Sequence, residues 1–184
     1  MVILSNPGTP QEVEDEHYAG KVGGDLADSA WAFTEAVLER KVAPHMGAGR
    51  SATHDTLMKH LTVDVFGCEI GKVPDRTVIT NAVRCSTPEN FGKYPPEVRS
   101  TIGRECAGRH LVAEVAYWQP RFIVACGAPV KELLQDLRRQ GIVSFAFFTT
   151  HHPSALGNFI GERKRQFMAV GEMMALPRFR RHSG

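Results

Sequence analysis

At 184 residues, 42% of them hydrophobic, the chain has the size and apolar content of one globular domain. Its net charge of +2 excludes nucleic-acid binding driven by bulk charge, so such a role must come from local basic clusters, and four cysteines are too few for a secreted disulfide scaffold. The longest apolar runs, Phe122 to Cys126 and Phe145 to Phe148, fall far short of the roughly 20 residues a bilayer span requires.

In chain order, Met1-Val2-Ile3-Leu4-Ser5 enters an apolar strand directly, predicted over 2–5, with no leader pattern ahead of it. The expected setting is therefore the cytoplasm, in association with the nucleoid if DNA is the partner, and no membrane is expected. Apolar residues at three- and four-residue spacing predict a helix over 25–41. The stretch 42–74 is less regular: Gly47-Ala48-Gly49 reads as a loop and Thr53 to Phe66 as a short helix, so the segment is expected to be an insertion. A strand over 77–82 is followed by a loop rich in Pro, Asn and Gly over 86–96. A helix over 96–117, a strand over 121–126, a helix over 128–139, a strand over 144–149 and a helix over 160–175 complete the pattern, ahead of a basic tail over 177–184. This alternation predicts a single domain over 1–184, a three-layer α/β/α sandwich around a central, mostly parallel four-stranded sheet. Ligands of such sheets bind beyond the carboxyl ends of the strands.

Three motifs fall at those ends: Leu4-Ser5-Asn6-Pro7-Gly8, Thr80-Asn81-Ala82-Val83-Arg84-Cys85 and His151-His152-Pro153-Ser154-Ala155-Leu156. A fourth segment, His17-Tyr18-Ala19-Gly20-Lys21-Val22-Gly23, follows the first motif at an aromatic-x-Gly-x-x-Gly spacing. In this order they resemble the signature of the uracil-DNA glycosylase superfamily, and the central loop from Asn81 to Asn90 with Pro120 to Gly127 is similar to its iron-sulfur branch. The resemblance extends with gaps over most of the chain. It implies a monofunctional repair hydrolase, monomeric, that flips uracil out of DNA and cleaves its N-glycosidic bond to leave an abasic site.

The resemblance also implies roles. His152 hydrogen-bonds the uracil O2 as negative charge collects on the departing base, whereas His151 takes a packing position. Asn6 stands where the fastest members carry aspartate; an amide can orient water but cannot offset the charge of an oxocarbenium-like sugar, which implies a slower enzyme. Tyr18 offers a π-face to the flipped base, and Asn81 pairs with N3-H and O4 of uracil, a pattern cytosine reverses, while backbone amides of the Pro7-Gly8 turn and the Gly20 to Gly24 segment are candidate phosphate contacts. Leu156 is implied to be the wedge that fills the gap left by the flipped nucleotide. Ser154 is a candidate phosphate contact, and Arg163-Lys164-Arg165 either adds salt-dependent DNA affinity or is a solvated helix face.

Bond breaking by this scheme requires no cofactor. In the iron-sulfur branch four cysteines hold a structural 4Fe-4S cluster; Cys85 and Cys106 match two of them, and the first pair has no counterpart here. Three explanations stand open: loss of the cluster, a record that starts after the pair, or Cys68 as a third ligand. Loss is favoured, since three thiolates make a poor cluster site. Asn6 and Tyr18 keep a mismatch (G:T or G:U) or deaminated-purine glycosylase open as an alternative, and a non-catalytic DNA-damage-binding module is the alternative of another class.

Overall fold

The computed structural model describes residues 1–5, 20–22, 24–25, 52–73, 75–83 and 93–176. Four strands, β1 (Val2–Leu4), β2 (Ile79–Asn81), β3 (Val124–Cys126) and β4 (Phe148–Thr150), form one sheet in the order β2-β1-β3-β4. Every pairing is parallel, with Leu4 opposite Asn81 and Cys126 opposite Thr150. All carboxyl ends therefore lie on one edge. The strands are shorter than the apolar runs that predicted them, and β4 begins four residues later than expected; the hydrogen bond from Phe148 N to Ile123 O (2.8 Å) marks where pairing begins.

Side chains alternate across the sheet, as strand geometry requires. Ile3, Ile123 and Ala125 enter one core, while Val2, Val124 and Cys126 enter the other. On the first face lie α2 (Pro96–Cys106), continued through a wide π-helical turn (Ala107–Leu111) into α3 (Val112–Trp118), and α4 (Ala128–Arg139). Prolines open α2 and α4, where a missing N–H costs nothing. In α4 the i, i+3, i+4, i+7 set Val130, Leu133, Leu134 and Leu137 is buried throughout. Each such side chain contributes about 1.5–3 kcal/mol of burial.

The second face is covered by α1 (Ala52–Lys59), its π-helical continuation His60–Phe66, and α5 (Phe159–Ala175). The short helix expected from Thr53 to Phe66 is present, divided between α1 and its π-helical continuation. Leu57, Met58 and Leu61 are buried with Phe167 and Val170, so the segment packs into the core on that face. The two helices approach closely because Gly171 has no side chain: a Cβ there would stand 2.5 Å from the carbonyl oxygen of Asp64. The predicted three-layer α/β/α arrangement is thus present among the described residues. The helix expected over 25–41 lies outside them beyond Asp25, as do 42–51, the loop 84–92 and the tail 177–184. Among the described residues, no helix is long and apolar enough to cross a membrane.

Candidate active site

The edge formed by the strand carboxyl ends carries the described parts of the three motifs, Leu4-Ser5, Thr80 to Val83 and His151 to Leu156. Beyond β1 and β2 the backbone ladder continues, with Ala82 N donating to Leu4 O (2.8 Å) and Val83 N to Ser5 O (2.9 Å). The chain entering the first motif therefore runs directly beside Asn81, which ends β2 half-buried. Asn6, Pro7, Gly8 and Tyr18 lie outside the described residues, so their roles rest on the sequence alone. At the other outer strand, β4 delivers His151 and His152.

His152 is partly buried and its Nδ1 faces two donors, the Ser154 hydroxyl at 2.6 Å and the Ser154 backbone N–H at 3.2 Å. An imidazole nitrogen that accepts a backbone N–H carries no hydrogen of its own, so this network assigns the hydrogen to Nε2. Burial, and next the positive charge of Arg163, push the His152 pKa below its ordinary value, which favours the neutral ring. The product is a neutral Nε2–H donor. The Ser154 hydroxyl, read from sequence as a phosphate contact, has its hydrogen engaged on His152.

Gly127 follows β3 with φ +95°, and its N–H donates to Thr150 O at 2.8 Å. A Cβ at this position would stand 3.2 Å from His152 Cβ, so the backbone passes against the histidine where only glycine fits without displacement. The only trace of this role in the sequence is a glycine that ends a strand and opens a helix. His151 takes the packing role expected of it, its ring tilted against Phe159 at 4.7 Å and its backbone N–H donating to Gln166 Oε1 at 2.6 Å.

The turn after His152 closes through Ala155 N to His152 O (2.9 Å) and leaves Leu156 80% exposed, with Phe159 and Ile160 also about half exposed beyond it. The basic run on α5 does not act as one face. Lys164 and Arg165 are exposed, but Arg163 is only 6% exposed and donates from Nη1 to the carbonyls of Pro153 (2.7 Å) and Ala155 (2.6 Å). A guanidinium engaged in the interior is not available to a phosphate, so Arg163, unlike Lys164 and Arg165, is not placed to contact DNA.

The cysteines of a shared cluster site must converge on one face of the sheet. Cys106 packs in the core on the α2–α4 face, whereas Cys68 packs against the core on the opposite face. The sheet separates them, so Cys68 does not complete a ligand set with Cys106; Cys85 lies outside the described residues. Cys126 is fully buried with its thiol pushed up to about 12 by desolvation, opposed in part by its bond with Thr150, and it is a packing residue. Among the described residues no group of three His, Cys, Asp or Glu converges as a metal site.

No individual curated protein matches the chain. The family profile of the Uracil DNA glycosylase superfamily does, over residues 1–170, a span that takes in all four strands and all three motifs. The chain belongs to the uracil-DNA glycosylase superfamily.

Proposed function

We propose that this protein, a DNA glycosylase by its superfamily, acts on uracil through a leaving-group mechanism centred on His152. The observation that carries the reading is the assigned Nε2–H donor on a neutral His152, fixed by the two Ser154 donors on Nδ1. As the bond between C1′ of deoxyribose and N1 of the base breaks, its electron pair passes to the base, and the anion collects on the O2 oxygen. A preorganised buried donor to such an oxygen contributes roughly 3 to 4 kcal/mol to the transition state. Water, oriented by the Asn6 amide, then forms the new C1′–O bond and releases a proton, and the base anion is protonated on departure.

Asn81 ends β2 and His152 follows β4 by two residues; these are the outermost strands of the sheet, three strand spacings or roughly 14 Å apart between backbones. That span accommodates one pyrimidine reached from both sides, with Asn81 reading N3-H and O4. Tyr18 would stack on the base, and exposed Leu156 would occupy the vacated position in the DNA. Lys164 and Arg165 supply the salt-dependent backbone attraction left to the run. No step is routed through an iron-sulfur cluster.

The test is alkali-labile cleavage of oligonucleotides bearing U opposite A, U opposite G, T opposite G, or hypoxanthine. Cutting at both U contexts is the expected result. Cutting confined to T opposite G or to hypoxanthine would move the assignment to the mismatch or deaminated-purine branch suggested by Asn6 and Tyr18. Binding without any cutting would leave a damage-binding module.

A further inference from the structure

We infer that Arg163, braced by His60 and Asp64, is a positioning residue that holds the turn carrying His152, so that α1 and its continuation govern the chemistry from across the core. The inference rests on the role of His152 proposed above.

Arg163 lies one turn into α5, and its buried guanidinium gathers the carbonyl oxygens of a single turn. Nη1 donates to Pro153 O at 2.7 Å and Ala155 O at 2.6 Å, with His152 O further off at 3.4 Å. On its other side Nε donates to His60 Nε2 at 3.1 Å. Because His60 Nε2 accepts there, the ring hydrogen resides on Nδ1, which meets Asp64 Oδ2 at 2.6 Å. The His60 ring is also stacked on Phe167, with centroids 4.6 Å apart and planes within 3°. A chain of contacts thus runs from a carboxylate through a neutral imidazole and a guanidinium to the backbone of residues 152 to 155.

Burying a guanidinium is costly unless its charge and donors are satisfied, and here Asp64 supplies the charge through His60. Such an arrangement is not needed to close a four-residue turn, which Ala155 N to His152 O already does. What the guanidinium adds is a rigid link from α5 to the carbonyls of the turn that follows His152. Lysine, a single point donor on a flexible stem, cannot span both the turn and His60.

The test is a double-mutant cycle on the full chain, with rates measured at saturating enzyme in single turnover on a uracil oligonucleotide, and affinity measured separately by anisotropy. Arg163→Lys should lower the single-turnover rate about tenfold or more while changing DNA affinity less than about threefold. In the His152→Ala background the same change should cost less than about threefold, because the two residues act as one unit. His60→Gln should show the same pattern more weakly. Imidazole nitrogen signals of His152 in 15N-histidine-labelled protein should move in both variants without DNA present.

Equal losses in both backgrounds, or an unchanged rate with about tenfold weaker DNA binding, would overturn the inference. So would unmoved His152 signals. If Arg163→Lys does not fold, His60→Gln and Asp64→Asn carry the same cycle. A His152→Ala protein with full activity would instead sink the proposed chemistry, and the imidazole signals would still decide the positioning role.

Discussion

The two faces of the sheet are held by different means. Against α2, α3 and α4 the interior is mainly aliphatic, with buried Thr80 donating from Oγ1 to Glu114 Oε2 of α3 at 2.6 Å, and the ion pairs Arg99–Glu132, Arg109–Glu105 and Arg139–Asp136 lie outside that core. Against α1 and α5 the aliphatic packing surrounds a buried polar chain, Asp64–His60–Arg163, that ends on the turn bearing His152. Aliphatic burial stabilises without direction, whereas hydrogen bonds fix orientation at a net gain of only about 1 kcal/mol each. The first face is thus a source of stability, and the second sets geometry at the site.

Changes on the two faces should therefore separate stability from rate. The largest effect is expected from Leu134→Ala, which leaves a cavity on the first face and should cost about 2–5 kcal/mol in denaturant unfolding, with the single-turnover rate of the folded protein unchanged. A comparable fall in that rate would break the division. His152→Ala should do the reverse, lowering the rate about a hundredfold or more, close to 3 kcal/mol of transition-state stabilisation, with little change in unfolding free energy. Gly171→Ala drives a methyl against the Asp64 carbonyl and should cost about 1–3 kcal/mol and also slow the reaction, since it displaces the element that holds His60. Urea melts and single-turnover assays on the same preparations would read both quantities.

The pH dependence is a smaller effect with a defined sign. The His152 pKa is lowered in the folded protein, so the neutral donor persists below the ordinary histidine value of 6.5 and the rate should fall only as pH drops through the depressed value. The unfolded chain takes up that proton more readily. Stability contributed by the neutral ring is therefore present above pH 6.5 and is lost as pH falls through the folded value. Arg163→Gln removes the neighbouring positive charge and should move the acid limb of the rate profile to higher pH; a shift to lower pH would contradict the electrostatic cause. Smallest of all, Cys126 should resist alkylation in the native state at neutral pH, as its buried thiol ionises only near 12.

Much of this arrangement was readable from residue order. The helix over 128–139 agrees with its observed bounds because Pro129 sets its start and Val130, Leu133, Leu134 and Leu137 share one face. The last helix was placed to within one residue, and all four strands were located, though shorter than expected. The short helix over 53–66 was legible, but its place against the sheet was not, because an irregular, Gly-containing approach gives no sign of what Leu57, Leu61 and Val65 pack on. The run Arg163-Lys164-Arg165 was misjudged for a different reason: sequence gives three adjacent charges but not the angle at which each leaves a helix. Successive residues on a helix point about 100° apart, so one of three neighbours can face the core while two face water.

What sequence alone determined here is local and periodic: the alternation of strand and helix, the placing of motifs after strands, and the chemical kinds of Asn6, Asn81 and His152. These follow from side-chain period and turn chemistry, which act over a few residues. The tertiary structure alone decided that Gly127 passes against His152, that Cys68 and Cys106 occupy opposite faces, and that Arg163 reaches inward to His60, 103 positions away. Those facts depend on which helix covers which face and how closely, and packing distance between remote segments leaves no period in the chain.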